Sequence, residues 1–208
     1  ENTQGTVGGI PVPKSYIDAV GDIAREHHLK LHIDGARIFN AATALRCDVA
    51  DLVAAADSVT FCLSKGLSAP VGSVLVGSQE FIDEARRVRK VLGGGMRQAG
   101  VLAAAGLIAL DKMTQRLDED HAHARLLAEG LAAMPHIQID LERVMTNMVF
   151  FSLADGAGMT APELAERLKA RNIWIMALDD RRFRAVTHYW IRREHIMQTL
   201  DAIREELS

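Results

Sequence analysis

Three short stretches carry the residues that could do chemistry. In "DSVTFCLSKGLSAPVGSVLVG" (57–77), Lys65 stands between an apolar, β-branched run and a turn of small residues. Desolvation at such a position favours the neutral amine, a nucleophile that condenses with a carbonyl to form a Schiff base. A surface lysine in a loop is the plainer reading. The apolar run feeding Lys65, and the small residues Gly66, Ser68, Ala69, Gly72 and Ser73 around it, weigh against that and leave room for another molecule. In "HIDGAR", Asp34 and Arg37 follow a short segment with strand character; taken alone, Asp34 is better read as a helix N-cap. In "GGGMRQ" (93–98), three glycines precede a helix, which suits a flexible turn or the close approach of an anion. Taken jointly, the stretches favour function. A carboxylate at one strand end can keep a pyridinium nitrogen protonated while an amine at the next makes a covalent link, the partner set that a pyridoxal phosphate enzyme needs.

Such groups must be held by a scaffold, and ligands of α/β sheets bind at the carboxyl ends of strands. "VPKSYIDAVGDIAREHH" has helical spacing at Tyr16, Ile17, Val20, Ile23 and Ala24, with Pro13 near its first turn. "LKLHID" reads as a short strand ending at Asp34, and "ARIFNAATAL" and "VADLVAAA" as short helices. "SVTFCL" and "VGSVLVG" read as strands, the first of them buried. "SQEFIDEARRVRKVL" is a helix opened by Ser78 and acidic residues and closed by basic ones. "RQAGVLAAAGLIALDKM" is apolar nearly all round, which predicts a helix inside the molecule. "TQRLDEDHAHARLLAEGLAAM" is a further long helix, whose His121 and His123 are expected to face solvent. Beyond Pro135, "IQID", "TNMVFFSL", "NIWIMAL" and "RFRAVTHYWI" read as short strands, with two amphipathic helices, "TAPELAERLKARN" and "RREHIMQTLDAIREEL". The pattern predicts an α/β part over 1–113 followed by a small α+β domain over 114–208.

Composition narrows the partners. The chain of 208 residues has a net charge of −3 and a pI near 6.3, so no basic field argues for nucleic acid and no polybasic segment for a membrane surface. With 49% hydrophobic but only 5% aromatic residues, the core must be aliphatic. Cys47 and Cys62 form no CxxC pair, which fits a reducing cytosol. "GLSAPVGS" lacks the glycine-lysine-serine ending of a P-loop, and His28 and His32 do not share a helix, so no metal site is expected. No signal-peptide pattern opens the chain, and because it starts at Glu1, further residues are expected upstream.

The stretches "HIDGARIFNAA", "DSVTFCLSKGLSAPVGS", "ARRVRKVLGGGMRQAG" and "RAVTH" closely resemble the low-specificity L-threonine aldolases, members of the aspartate-aminotransferase-like, fold type I pyridoxal phosphate enzymes. The resemblance runs across essentially the whole chain. It implies a mixed, mostly parallel sheet with helices on both faces, of which 1–113 is the C-terminal part, and a small C-terminal α+β domain. It implies pyridoxal 5'-phosphate as cofactor and cleavage of L-threonine or L-allo-threonine to glycine and an aldehyde. Another activity of the same scaffold (a β-eliminating lyase or a racemase) and a non-catalytic fragment are the alternatives.

The residue roles implied are these. Lys65 resembles the Schiff-base lysine, with Ser64 beside it in the cofactor site, and Asp34 the partner of the ring nitrogen. Arg37 resembles a ligand for the substrate carboxylate or the ring-hydroxyl side of the cofactor. Arg97 resembles the arginine that reaches a phosphate across a dimer interface, so a cytoplasmic homodimer or homotetramer with shared active sites is expected. Lys90 corresponds to a lysine near the site's mouth, and Arg184 to the arginine that clamps the amino acid carboxylate, a task a bidentate guanidinium suits. Gln4 stands where such proteins usually show histidine. Their phosphate-binding glycine turn, ring-stacking histidine and hydroxyl-handling residues lie upstream of Glu1, so no general base is assigned.

Overall fold

The computed structural model describes residues 1–208 and divides them into two compact units, Glu1–Gln4 with Pro11–Leu117, and Gly5–Ile10 with Asp118–Ser208. The first unit holds helix α1 (Lys14–Glu26), strand β1 (His32–Asp34), helices α2 (Ile38–Leu45) and α3 (Val49–Leu52), strands β2 (Ser58–Cys62) and β3 (Ser73–Gly77), and helices α4 (Gln79–Val91) and α5 (Gly100–Asp111). Its sheet runs β1-β2-β3; β1 and β2 are parallel, β2 and β3 antiparallel. Strand alternation puts Ile33, Val59 and Phe61 on one face, where they meet Ile17, Ile38, Ala41 and Leu52. A smaller cluster of Leu63, Leu67, Ala69, Ala109 and Leu117 lies beyond the end of β2.

The second unit holds α6 (Leu117–Ala132, its first residue shared with the other unit), β4 (Ile137–Gln138), β5 (Met148–Leu153), α7 (Ala161–Ala170), β6 (Met176–Ala177), β7 (Arg182–Val186) and α8 (Arg193–Glu206). Its sheet is antiparallel throughout, in the order β4-β5-β7-β6. Inward residues of β5 and β7 and the apolar stripes of α6, α7 and α8 form one continuous core. Phe151 and Phe183 stack across the two central strands with ring centroids 4.8 Å apart. The early segment Gly5–Ile10 joins this unit: Thr146 Oγ1 donates to the Gly9 carbonyl at 2.8 Å and Arg143 Nη2 to the Val7 carbonyl at 3.2 Å.

Two expectations are corrected. Helix α5 is not interior: Val101, Leu107 and Ile108 are 71%, 69% and 56% exposed, and only Gly106 and Ala109 are buried. Its inward seam is made of small residues, and a methyl on Gly106 would lie 3.1 Å from Leu63 Cδ1, so the bulky side chains are turned outward. His121 and His123 are half-buried rather than solvated, because α6 presents this stretch partly to the unit's interior. Burial disfavours the imidazolium and pulls His121 from its ordinary 6.5 down to about 4, against the opposing charge of Asp118.

Candidate active site

Because β1 and β2 are parallel and paired Asp34 to Thr60, their carboxyl ends share one edge of the sheet. Asp34 is the last residue of β1, and Ser64 and Lys65 follow the last residue of β2 by two and three positions. Asp34 is not the cap of α2. That position belongs to Arg37, which makes no side-chain cap bond, while Asp34 Oδ1 accepts the Ala36 N–H at 3.0 Å in a local turn. Oδ2 remains as an acceptor on an exposed carboxylate. The turn is held by the Gly35 N–H, which donates to the Thr60 carbonyl at 2.7 Å; a methyl at Gly35 would lie 2.8 Å from that oxygen, so the close approach requires glycine.

The turn that carries Lys65 is pinned on both sides. Ser68 N–H donates to the Lys65 carbonyl at 2.9 Å, Ala69 N–H to Leu63 at 2.9 Å, and Leu63 N–H to Gly72 at 2.9 Å. Gly66 and Leu67 are buried, but the Lys65 side chain is exposed at the rim, so residues of this chain do not supply the desolvation expected for it. Arg37 is half-buried and has a polar partner.

Residues 1–155 match the family model described as "Beta-eliminating lyase". The chain belongs to this family. It is 48% identical over 207 residues to "Low-specificity L-threonine aldolase 1" of Arabidopsis thaliana, covering 100% of this chain and 58% of that protein. It is 43% identical over 195 residues to "Low specificity L-threonine aldolase" of Escherichia coli strain K12, covering 94% and 56%. The solved structure of a Leishmania major threonine aldolase superposes with a TM-score of 0.76 at 19% identity, over 100% of this chain and 60% of that one, a likeness of fold. The chain thus spans rather more than half the length of these relatives. The fold is that of the fold type I enzymes, an α/β architecture with a mixed sheet.

The remaining site residues singled out in this family member lie elsewhere. Lys90 and Arg97 are exposed around the glycine turn. A methyl on Gly95 would lie 2.5 Å from Lys90 Cδ and 3.0 Å from its Nζ, so the lysine folds back over the glycine. The turn itself is not a helix N-terminus, since α5 begins at Gly100 with Ala99 as its N-cap. Arg184 belongs to the second unit, on β7 between Phe150 and Met176. Its Nη2 reaches Met176 Sδ at 3.3 Å, and its buried Nε has no hydrogen-bond partner, leaving donor capacity for an anion. The structure therefore brings Asp34, Arg37, Ser64 and Lys65 to one strand edge, and in the same unit sets Lys90, at the end of α4, and Arg97 on either side of the three glycines.

Other polar residues beside the site escape the motif search. His32 shares Asp34's face of β1; its Nδ1 lies 2.9 Å from Ser58 Oγ and its Nε2 3.4 Å from Thr60 Oγ1. The alternation in "HID" and "SVT" would have placed all four polar side chains on one face. Asn40, which falls within the stretch "HIDGARIFNAA" without being singled out there, is buried within α2.

Proposed function

We propose that the protein carrying this chain is a pyridoxal phosphate-dependent carbon–carbon lyase that cleaves L-threonine and L-allo-threonine to glycine and an aldehyde. The observation that carries the reading is the pairing of an amine and a carboxylate, Lys65 and Asp34, at the carboxyl ends of adjacent parallel strands. The donor set fits the cofactor: a primary amine on an accessible rim can condense with its aldehyde, and the remaining Asp34 oxygen can accept a hydrogen bond from its protonated ring nitrogen. When bound, the cofactor supplies an electron sink for the pair released at the substrate Cα. Lys65 would hold its aldehyde carbon, Ser64 and Arg37 would line the same edge, and Asp34 would keep the ring nitrogen protonated. The role proposed for Arg184 is a clamp on the substrate carboxylate, and that for Lys90 a place near the mouth of the site. In the net reaction the hydroxyl proton leaves, the Cα–Cβ bond breaks as the aldehyde carbonyl forms, and Cα takes up a proton to give glycine.

The same reading extends to assembly and setting. A homodimer or homotetramer, with Arg97 directed to a neighbour's phosphate, is supported by the broad exposed apolar surface of α5. A cytoplasmic role in threonine catabolism and glycine supply goes with it. The family's description favours β-elimination as a second reading, and the products separate the two: glycine and aldehyde for cleavage, a 2-oxo acid and ammonia for elimination. Lys65→Ala is expected to abolish both the visible absorbance of bound cofactor and aldehyde release from L-allo-threonine. Retention of both in that variant would overturn the assignment.

A further inference from the structure

We propose that Asn40 is a positioning residue for Lys65, its carboxamide seating the backbone of Gly66 and so fixing the turn from which the amine projects. The inference rests on the reading of Lys65 as the cofactor-linked amine. Asn40 is 2% exposed and lies inside α2, flanked by the buried apolar residues Ile38, Ala41 and Ala42. An asparagine there is unfavourable for helix and for core alike: its side chain competes with the backbone for hydrogen bonds, and burying an amide costs free energy unless it is bonded. Asn40 has such a partner, and none of its polar atoms is a buried orphan. An apolar residue would serve the core better, so the reason for the amide lies in what it touches.

The amide stands close against the position of the residue after Lys65. A methyl on Gly66 would lie 2.8 Å from Asn40 Oδ1, 3.5 Å from Nδ2 and 3.2 Å from Leu117 Cδ2. Gly66 does not have a positive φ, so the glycine is required by close approach and not by backbone conformation. At the start of the same helix, a methyl on Gly35 would meet Ile38 Cβ at 2.9 Å. Two successive turns of the strand edge, one after Asp34 and one after Lys65, are thus seated on the first residues of α2. That short helix sets the spacing between carboxylate and amine, and Asn40 is its contact on the lysine side.

The test is a double-mutant cycle read at Lys65 itself. The protein carrying this chain is treated with millimolar pyridoxal 5'-phosphate, reduced with borohydride and digested, and the labelling of the Lys65 peptide relative to other lysines is measured by mass spectrometry. Gly66→Ala is expected to slow selective labelling about tenfold, and the same substitution in an Asn40→Ala background several-fold less, because its clash partner is gone. Asn40→Leu, which keeps the branching and heavy-atom count of the side chain but removes its polarity, is expected to retain the thermal midpoint yet lose selectivity at Lys65, a result that a purely structural amide would not give. Additive effects in the cycle, or wild-type labelling in Asn40→Leu, would overturn the role of Asn40. Absence of preferential labelling at Lys65 in the unmodified protein would instead remove the reading on which it rests.

Discussion

The two sheets of this chain are treated very differently by their own sequence. In the second unit, β5 and β7 are covered by helices whose apolar stripes interlock: Leu131, Leu153, Leu164, Phe183 and Ile203 are all almost completely buried. In the first unit only one face of β1–β3 has that treatment. The other face carries His32, Asp34, Ser58 and Thr60, and the turn at its edge carries Lys65. Ser58 is buried there and Thr60 half-buried, but polar groups contribute little to a core, so the unit that presents Asp34 and Lys65 has the smaller continuous core.

That contrast can be broken most directly by unfolding. Both tryptophans, Trp174 and Trp190, lie in the second unit, so their fluorescence reports that unit while circular dichroism reports both. Phe183→Ala empties a fully buried site against Phe151 and is expected to cost the second unit about 3–5 kcal/mol. The fluorescence transition in guanidinium should move to lower denaturant while part of the dichroism signal stays where it was. If the two probes continue to coincide in the variant, the units unfold as one and the comparison fails.

A second, smaller effect sharpens the picture through pH. His121 in α6 is held neutral in the native state, with its pKa drawn down to about 4 by burial. The unfolded chain binds a proton at the ordinary value of 6.5, so the native state gains its full advantage above that pH and loses it as the pH falls from 6.5 towards 4. The fluorescence-monitored midpoint should fall across this window, and His121→Gln should flatten the fall. An unchanged slope in that variant would show that other groups govern the acid limb.

How much of this was legible in the sequence depended on whether the deciding partner was local. Ser78 was read as a cap, and its Oγ accepts the Phe81 N–H at 3.2 Å, because a cap is decided within four residues. The strand leading to Lys65 was legible for the same reason: β-branched residues and a glycine-rich turn declare themselves side by side. Asp34 obeyed the local rules for a cap yet bonds Ala36 instead, because the contact of Gly35 with the Thr60 carbonyl shifts the helix start to Arg37. Helix α5 misled because an apolar sequence states that a surface wants covering and not what within this chain covers it. Asn40 stayed hidden because its meaning lies in Gly66, a residue far along the chain that adds no side chain to any pattern.

The finest discrimination between the units comes from their helix caps. Thr160 opens α7 with a reciprocal box: Glu163 N–H donates to its Oγ1 at 3.4 Å, and its own N–H donates to Glu163 Oε2 at 2.7 Å. Ser78 opens α4 with a single side-chain bond. Either residue changed to Ala should cost about 1 kcal/mol of local stability. The destination of that cost differs. α7 packs Leu164 and Leu168 into the continuous core, so Thr160→Ala should appear in full as an earlier fluorescence transition. α4 has no fully buried residue, so Ser78→Ala should surface as faster amide exchange within α4 and leave the fluorescence midpoint in place. A shift of that midpoint by Ser78→Ala would mean that the first unit's stability is transmitted to the second, and the separation argued from their cores would have to be abandoned.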